Sequence, residues 1–184
     1  MTMLRFRSIL RLTLESWLTA AVALAQHSDG PAFRLVLTEV RPGNMATQLR
    51  CTLVLRDHHF HHETASITPN RDSERKVYEG ELSDADWSAL NAILDSKGLR
   101  DLNVPRAFAP PVMQDVHILN ISVGRESKFQ NLEFLNDKSR KPYDSELKPL
   151  LQWWKSFNHR HMTESHAAPN SQCALNQNNT LFAQ

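Results

Sequence analysis

The order of elements predicts an α+β fold: an antiparallel sheet of about five strands with two helices packed on one face. Three observations carry this. The first half of the chain is a succession of strand-like stretches with turn residues between them. Two helical apolar stripes, around residues 83–94 and 147–157, never alternate with single strands as a parallel βαβ fold requires. Between them lies a hairpin, "VHILNISV" and "KFQNLEF" on either side of Gly124-Arg125-Glu126-Ser127.

"FRLVLTEV" at 33–40 alternates at its start and reads as a strand, and "RPGNMATQ" is a loop. "LRCTLVL" at 49–55 places Leu49, Cys51, Leu53 and Leu55 on one face at period two. Asp57-His58-His59 is the expected turn, and "FHHETASI" returns as a third strand. "TPNRDSERK" is a loop and "VYEGEL" a short strand. Ser83 is then the expected N-cap of a helix, with Asp86 completing a capping-box variant and Leu82 and Trp87 at hydrophobic-staple positions. Trp87, Leu90, Ile93 and Leu94 form its apolar stripe. Gly98 stands where a left-handed C-terminal residue would sit. A Pro-rich loop (Pro105, Pro110, Pro111) precedes the hairpin. The last helix is built on Leu147, Leu150, Leu151, Trp154 and Phe157, and Pro149 argues for a start near Lys148. Of the adjacent Trp153 and Trp154, about 100° apart on a helix, one faces the core and the other its edge.

The chain has 184 residues, enough for one domain. Its start reads as a signal peptide over residues 1–25. Arg5, Arg7 and Arg11 form a basic region, an apolar stretch follows, and Ala23-Leu24-Ala25 gives a cleavage signal before Gln26. The expected location is secreted or periplasmic. Residues 26–157 form the expected single domain, and the polar stretch 158–184 has too few apolar residues to offset chain entropy, so it is read as a disordered tail. Removing residues 1–25 leaves 18 basic against 19 acidic residues. A balanced charge offers no electrostatic reason to bind nucleic acid or an anionic membrane, and after residue 25 no segment is long and apolar enough to span a bilayer. Export makes a disulfide between the only two cysteines, Cys51 and Cys173, possible; closing so long a loop stabilises by about 4–5 kcal/mol in the chain-entropy model.

Candidate chemistry is sparse. "RDHHFHHETA" at 56–65 holds four histidines. On a strand, His59, His61 and Glu63 share one face, while His58, Phe60 and His62 share the other. A His-x-His pair with Glu63 as third ligand suits Zn²⁺ or Cu²⁺, and His117 is a further candidate from another strand. Against this, H-E-x-x-H is absent and no cysteine stands at ligand spacing, so a solvated hairpin is the simpler reading. With five glycines in the chain there is no phosphate-cradling Gly motif, and no G-x-S-x-G elbow. Cys51, on an apolar strand face, reads as a structural residue. The basic loop Lys138, Arg140, Lys141 is diluted by Asp137 and Asp144. The expectation is a protein that is not an enzyme, holds no cofactor, and acts as an interaction or inhibitor-like module, with metal binding around residues 58–63 as the alternative.

The run "VYEGELSDADWSALNAILDSKGLRDL", "DVHILNISVGRESKFQNLEF" and "LKPLLQWWKSF" resembles small exported bacterial proteins of unknown function. In layout it is loosely similar to emfourin, an inhibitor of thermolysin-type metalloproteases. The likeness covers about 77–157 and lies in hydrophobic spacing. It implies a protein partner, with a protease as one form of it, and supplies no site residues.

Overall fold

The computed structural model describes residues 32–69, 74–105, 116–157 and 163–165. The expected signal peptide, Cys173 and most of the expected tail lie outside these.

The architecture is α+β with an antiparallel sheet. The strands are β1 (Phe33–Arg41), β2 (Thr47–Leu55), β3 (His59–Ile67), β4 (Glu74–Glu81), β5 (Ile118–Gly124), β6 (Phe129–Phe134) and β7 (Thr163–Ser165). Their order across the sheet is β6-β5-β1-β2-β3-β4-β7. β1–β4 form a meander. The β5–β6 hairpin joins it at β1, Leu37 opposite Ile121, rather than at β4, the strand that precedes it in sequence. The sheet therefore has two more strands than expected. β4 is a full strand because it pairs with the whole of β3, from His59–Glu81 to Ser66–Glu74. β7 falls inside the stretch expected to be disordered and pairs with β4, whose outer edge supplies the backbone hydrogen bonds.

The helices are α1 (Asp84–Leu94), α2 (Lys97–Arg100), α3 (Asp137–Arg140) and α4 (Asp144–Ser156). Ser83 caps α1 as expected: its Oγ accepts the Asp86 N–H at 3.2 Å and donates to the Asp86 carboxylate at 2.7 Å. Gly98 is not a left-handed terminus. α1 ends at Asp95, Ser96 starts a new turn by accepting the Leu99 N–H, and Gly98 lies within α2. α4 begins at Asp144, ahead of the position that Pro149 suggested. Pro149 and Ser145 are both exposed, so the Ser145 carbonyl that loses its helical partner faces water.

The main core lies between the helices and one face of the sheet. Leu35, Leu37, Val54, Phe60, Ile121 and Leu132 meet Leu90, Leu94, Leu99, Leu147, Leu150 and Trp154. Trp154 is in the core, and Trp153 packs at its edge beside Phe157. On the second face of the sheet Val36, Cys51 and Leu53 form a separate buried cluster. The apolar alternation expected on β2 thus points away from the helices, and the helix-side positions are Val54, Thr52 and Arg50. Thr52 is tolerated there because the Trp154 indole N–H donates to its Oγ1 at 2.7 Å, and the same oxygen meets His62 Nδ1 at 2.7 Å.

Candidate functional site

The histidine stretch is a hairpin end and the strand after it. The turn is Arg56-Asp57-His58, with Asp57 Oδ1 accepting the His59 N–H. His58 has φ 74°, the left-handed residue a three-residue hairpin needs. Its ring stacks on Trp87, centroids 4.4 Å apart. From His59 the expected alternation holds, but the two sides have different fates.

His62 is fully buried on the helix side with Thr52. His61 and Glu63 are buried on the second face. His61 Nδ1 meets Glu79 Oε1 at 3.0 Å, and its Nε2 meets Glu63 Oε2 at 3.2 Å. Arg75 pairs with Glu63: its Nη2 donates to Oε2 at 2.9 Å, and its Nε lies 2.8 Å from Oε1 without a hydrogen bond. Charges thus alternate along Glu79, His61, Glu63 and Arg75. Burial by itself would push His61 down, yet its hydrogen bonds and attraction to Glu63 and Glu79 carry it above its ordinary value. Both ring nitrogens are committed to carboxylates, which leaves neither lone pair for a metal. His59 is exposed near Asp57 and does not join this chain. His117 is elsewhere, between Glu39 (2.6 Å) and Asp137 (2.8 Å). Among the described residues no three His, Cys, Asp or Glu side chains stand together as metal ligands. The expected set His59, His61, Glu63 is therefore brought together only as its last two members, and as an ion-pair chain.

In the basic loop, Arg140 pairs with Asp137 at 3.1 Å and Asp144 at 3.2 Å.

The site that sequence reasoning missed is a groove of about 900 Å³ between the C-terminal end of α1, α2 and the β5–β6 turn. It starts from an irregularity. The register of β1 shifts between Phe33 and Leu35, so Arg34 turns to the helix side. There it is buried, with Nε donating to Asn91 (2.6 Å), Nη1 to the Gly124 carbonyl (2.8 Å) and Nη2 to Asp95 (2.8 Å). Arg125 reaches the same Asp95 at 3.0 Å and also donates to the Leu94 carbonyl. Burial pushes the Arg125 guanidinium below its ordinary value, and the neighbouring Arg34 charge adds to that; Asp95 opposes both. Two guanidiniums share one carboxylate. Arg56, Arg100 and Lys128 add three more cations to the walls, and Glu126 is the one further acid lining them. Trp87 and Phe129 supply aromatic surface, with Phe129 half exposed.

These residues come from β1, the β2–β3 turn, α1, α2 and the β5–β6 turn. No spacing in the sequence connects positions 34, 56, 100, 125 and 128, and the nearly neutral total hides their excess charge. Chemically the groove is suited to holding carboxylates or other anions through forked guanidinium hydrogen bonds. Comparison with protein-family models, with characterised proteins and with solved structures finds no match.

Proposed function

We propose that this protein is an exported interaction module that binds a partner without transforming it, and that the arginine-lined groove is the binding face. The partner is a protein presenting an acidic segment. The observation that carries this reading is the charge imbalance: Arg34 and Arg125 share Asp95 while Arg56, Arg100 and Lys128 stand around them. An incoming carboxylate pair would meet the exposed cations Arg100 and Lys128 at the groove wall, and Trp87 and Phe129 offer contact surface of the kind that anchors interfaces.

The resemblance to emfourin gives the reading its sharp form, inhibition of a thermolysin-type protease by occupation rather than chemistry. Export rests on the reading of residues 1–25 as a signal peptide, and it predicts that the exported protein begins at Gln26.

The test is direct binding. A fluorescein-labelled oligoglutamate peptide should bind with an affinity that falls as salt is raised. Reversing two exposed walls, Arg100→Glu/Lys128→Glu, should weaken it at least tenfold with circular dichroism unchanged. Equal affinity of the variant and the natural protein would remove the groove from the proposal. In parallel, stoichiometric inhibition of a thermolysin-type protease would support the inhibitor form.

A further inference from the structure

The second face of the sheet is buried, yet every described helix lies on the other face. Val36, Cys51 and Leu53 are 3%, 2% and 3% exposed, and Thr38, Val77 and Ser122 are equally enclosed. None of the helices contributes to the cluster formed by Val36, Cys51 and Leu53, whose neighbours are Phe33 and Leu55 of the sheet itself. A sheet face this dry needs a second layer.

We propose that the layer is the chain's own C-terminal stretch, residues 166–184, fastened across this face by a disulfide between Cys51 and Cys173. The pairings of the sheet point to it. Ser165, the last residue of β7, is opposite Val77; Val77 is opposite Glu63; and Glu63 is opposite Cys51. One straight row across four strands therefore runs from the point where the tail leaves the sheet to the buried cysteine. Three strand spacings are about 14 Å. Cys173 lies eight residues beyond Ser165, and eight extended residues reach about 27 Å. The tail can cross with length to spare.

Its composition matches the surface it would cover. "HAAPNSQCALNQNNTLFAQ" contains no Asp, Glu, Lys or Arg. The charges on the face, from Glu79 through His61 and Glu63 to Arg75, are already paired with one another, so an uncharged cover leaves none of them without a counter-charge. Ala174-Leu175 and Leu181-Phe182-Ala183 supply apolar contacts, and the Asn and Gln residues supply hydrogen bonds. The short N-terminal piece that would remain after cleavage, "QHSDGP" at 26–31, offers almost no apolar surface. Closing the bond removes one proton and one electron from each thiol. By thiol–disulfide exchange these reduce an external disulfide, R–S–S–R, to two R–SH.

The full chain, purified oxidised from an exporting host, decides the matter. Non-reducing peptide mapping should recover one Cys51–Cys173 linked peptide and no alkylatable thiol. Hydroxyl-radical footprinting then compares it with the full-length Cys51→Ser/Cys173→Ser variant. Modification of Val36 and Leu53 should rise at least threefold in the variant, while Leu35 on the helix side stays protected and so reports an intact core. Two free thiols in the oxidised protein would overturn the proposal. So would unchanged modification of Val36 and Leu53, which would assign the cover to another segment.

Discussion

At the scale of single residues, two buried histidines at consecutive positions of one strand, on opposite faces of the sheet, show how local surroundings decide the role of a side chain. His62 depends on Thr52, which also receives the Trp154 N–H. Thr52→Val keeps the shape and deletes both contacts, leaving two ring nitrogens unsatisfied in the core. We expect a loss of about 1–3 kcal/mol in urea unfolding. Burial works to lower the His61 value, but its hydrogen bonds and attraction to Glu63 and Glu79 outweigh it, so the folded value lies above the ordinary 6.5. A raised value means that its stabilisation is complete below 6.5 and is lost as pH rises through the folded value. Glu39 behaves oppositely. Burial works to raise it, but the hydrogen bonds from His117 and Arg41 hold it below the ordinary 4.5. Its contribution is present above 4.5 and is lost as pH falls through the folded value. Unfolding free energies of the natural protein and His61→Gln should therefore differ most in mildly acidic buffer and converge in alkaline buffer. The same comparison with Glu39→Gln should converge at strongly acidic pH. A His61→Gln difference that grows with pH would reverse the assignment of charge in the cluster.

At the scale of elements, β4 is pinned by a close approach. Gly80 is opposite Phe60, and a Cβ at Gly80 would stand 2.8 Å from the Phe60 ring. That ring is packed edge-on to Phe157 and has nowhere to swing freely. Gly80→Ala should cost about 1–3 kcal/mol through overpacking, visible as a lower melting temperature with binding to acidic peptide unaffected. The β-bulge at Arg34 is the other element-level device. It removes one residue from the alternation of β1 and turns a guanidinium from the sheet's second face to the end of α1. Without it, Arg34 would fall beside Val36 and the groove would lose the cation that shares Asp95 with Arg125.

At the scale of the whole molecule, β1 is the hinge of the topology. It pairs with β2 next to it in sequence and with β5 some eighty residues later. The β5–β6 hairpin and α4 thus complete both the sheet and the helix layer over Leu35 and Leu37. A chain ending at Pro105 keeps the meander and α1 but loses the β1–β5 ladder, Ile121, Leu132, Leu150 and Trp154. We expect it to lack a cooperative unfolding transition by circular dichroism, because so small a core does not offset chain entropy. Cooperative unfolding of that fragment would show that the meander is an independent unit. Among the described residues no helix is long and apolar enough to cross a membrane.

Periodicity, caps and turn residues were enough to determine the α+β class, the β2–β3 and β5–β6 hairpins, the Ser83 cap and the inward face of α4, because each is decided by residues within a few positions of one another. Alternation also separated His61 and Glu63 from His62 correctly. The solvated hairpin expected for those residues is overturned, since His61, His62 and Glu63 are buried by strands and helices far along the chain. Only the tertiary structure placed β5 beside β1 and added β7 to the edge of β4. It alone showed that the apolar stripe of β2 faces away from the helices and that His61 spends both nitrogens on carboxylates. The arginine groove is the clearest case: five cations from four separate segments carry no pattern in sequence, and they become one charged surface only because folding brings their backbones together around a single aspartate.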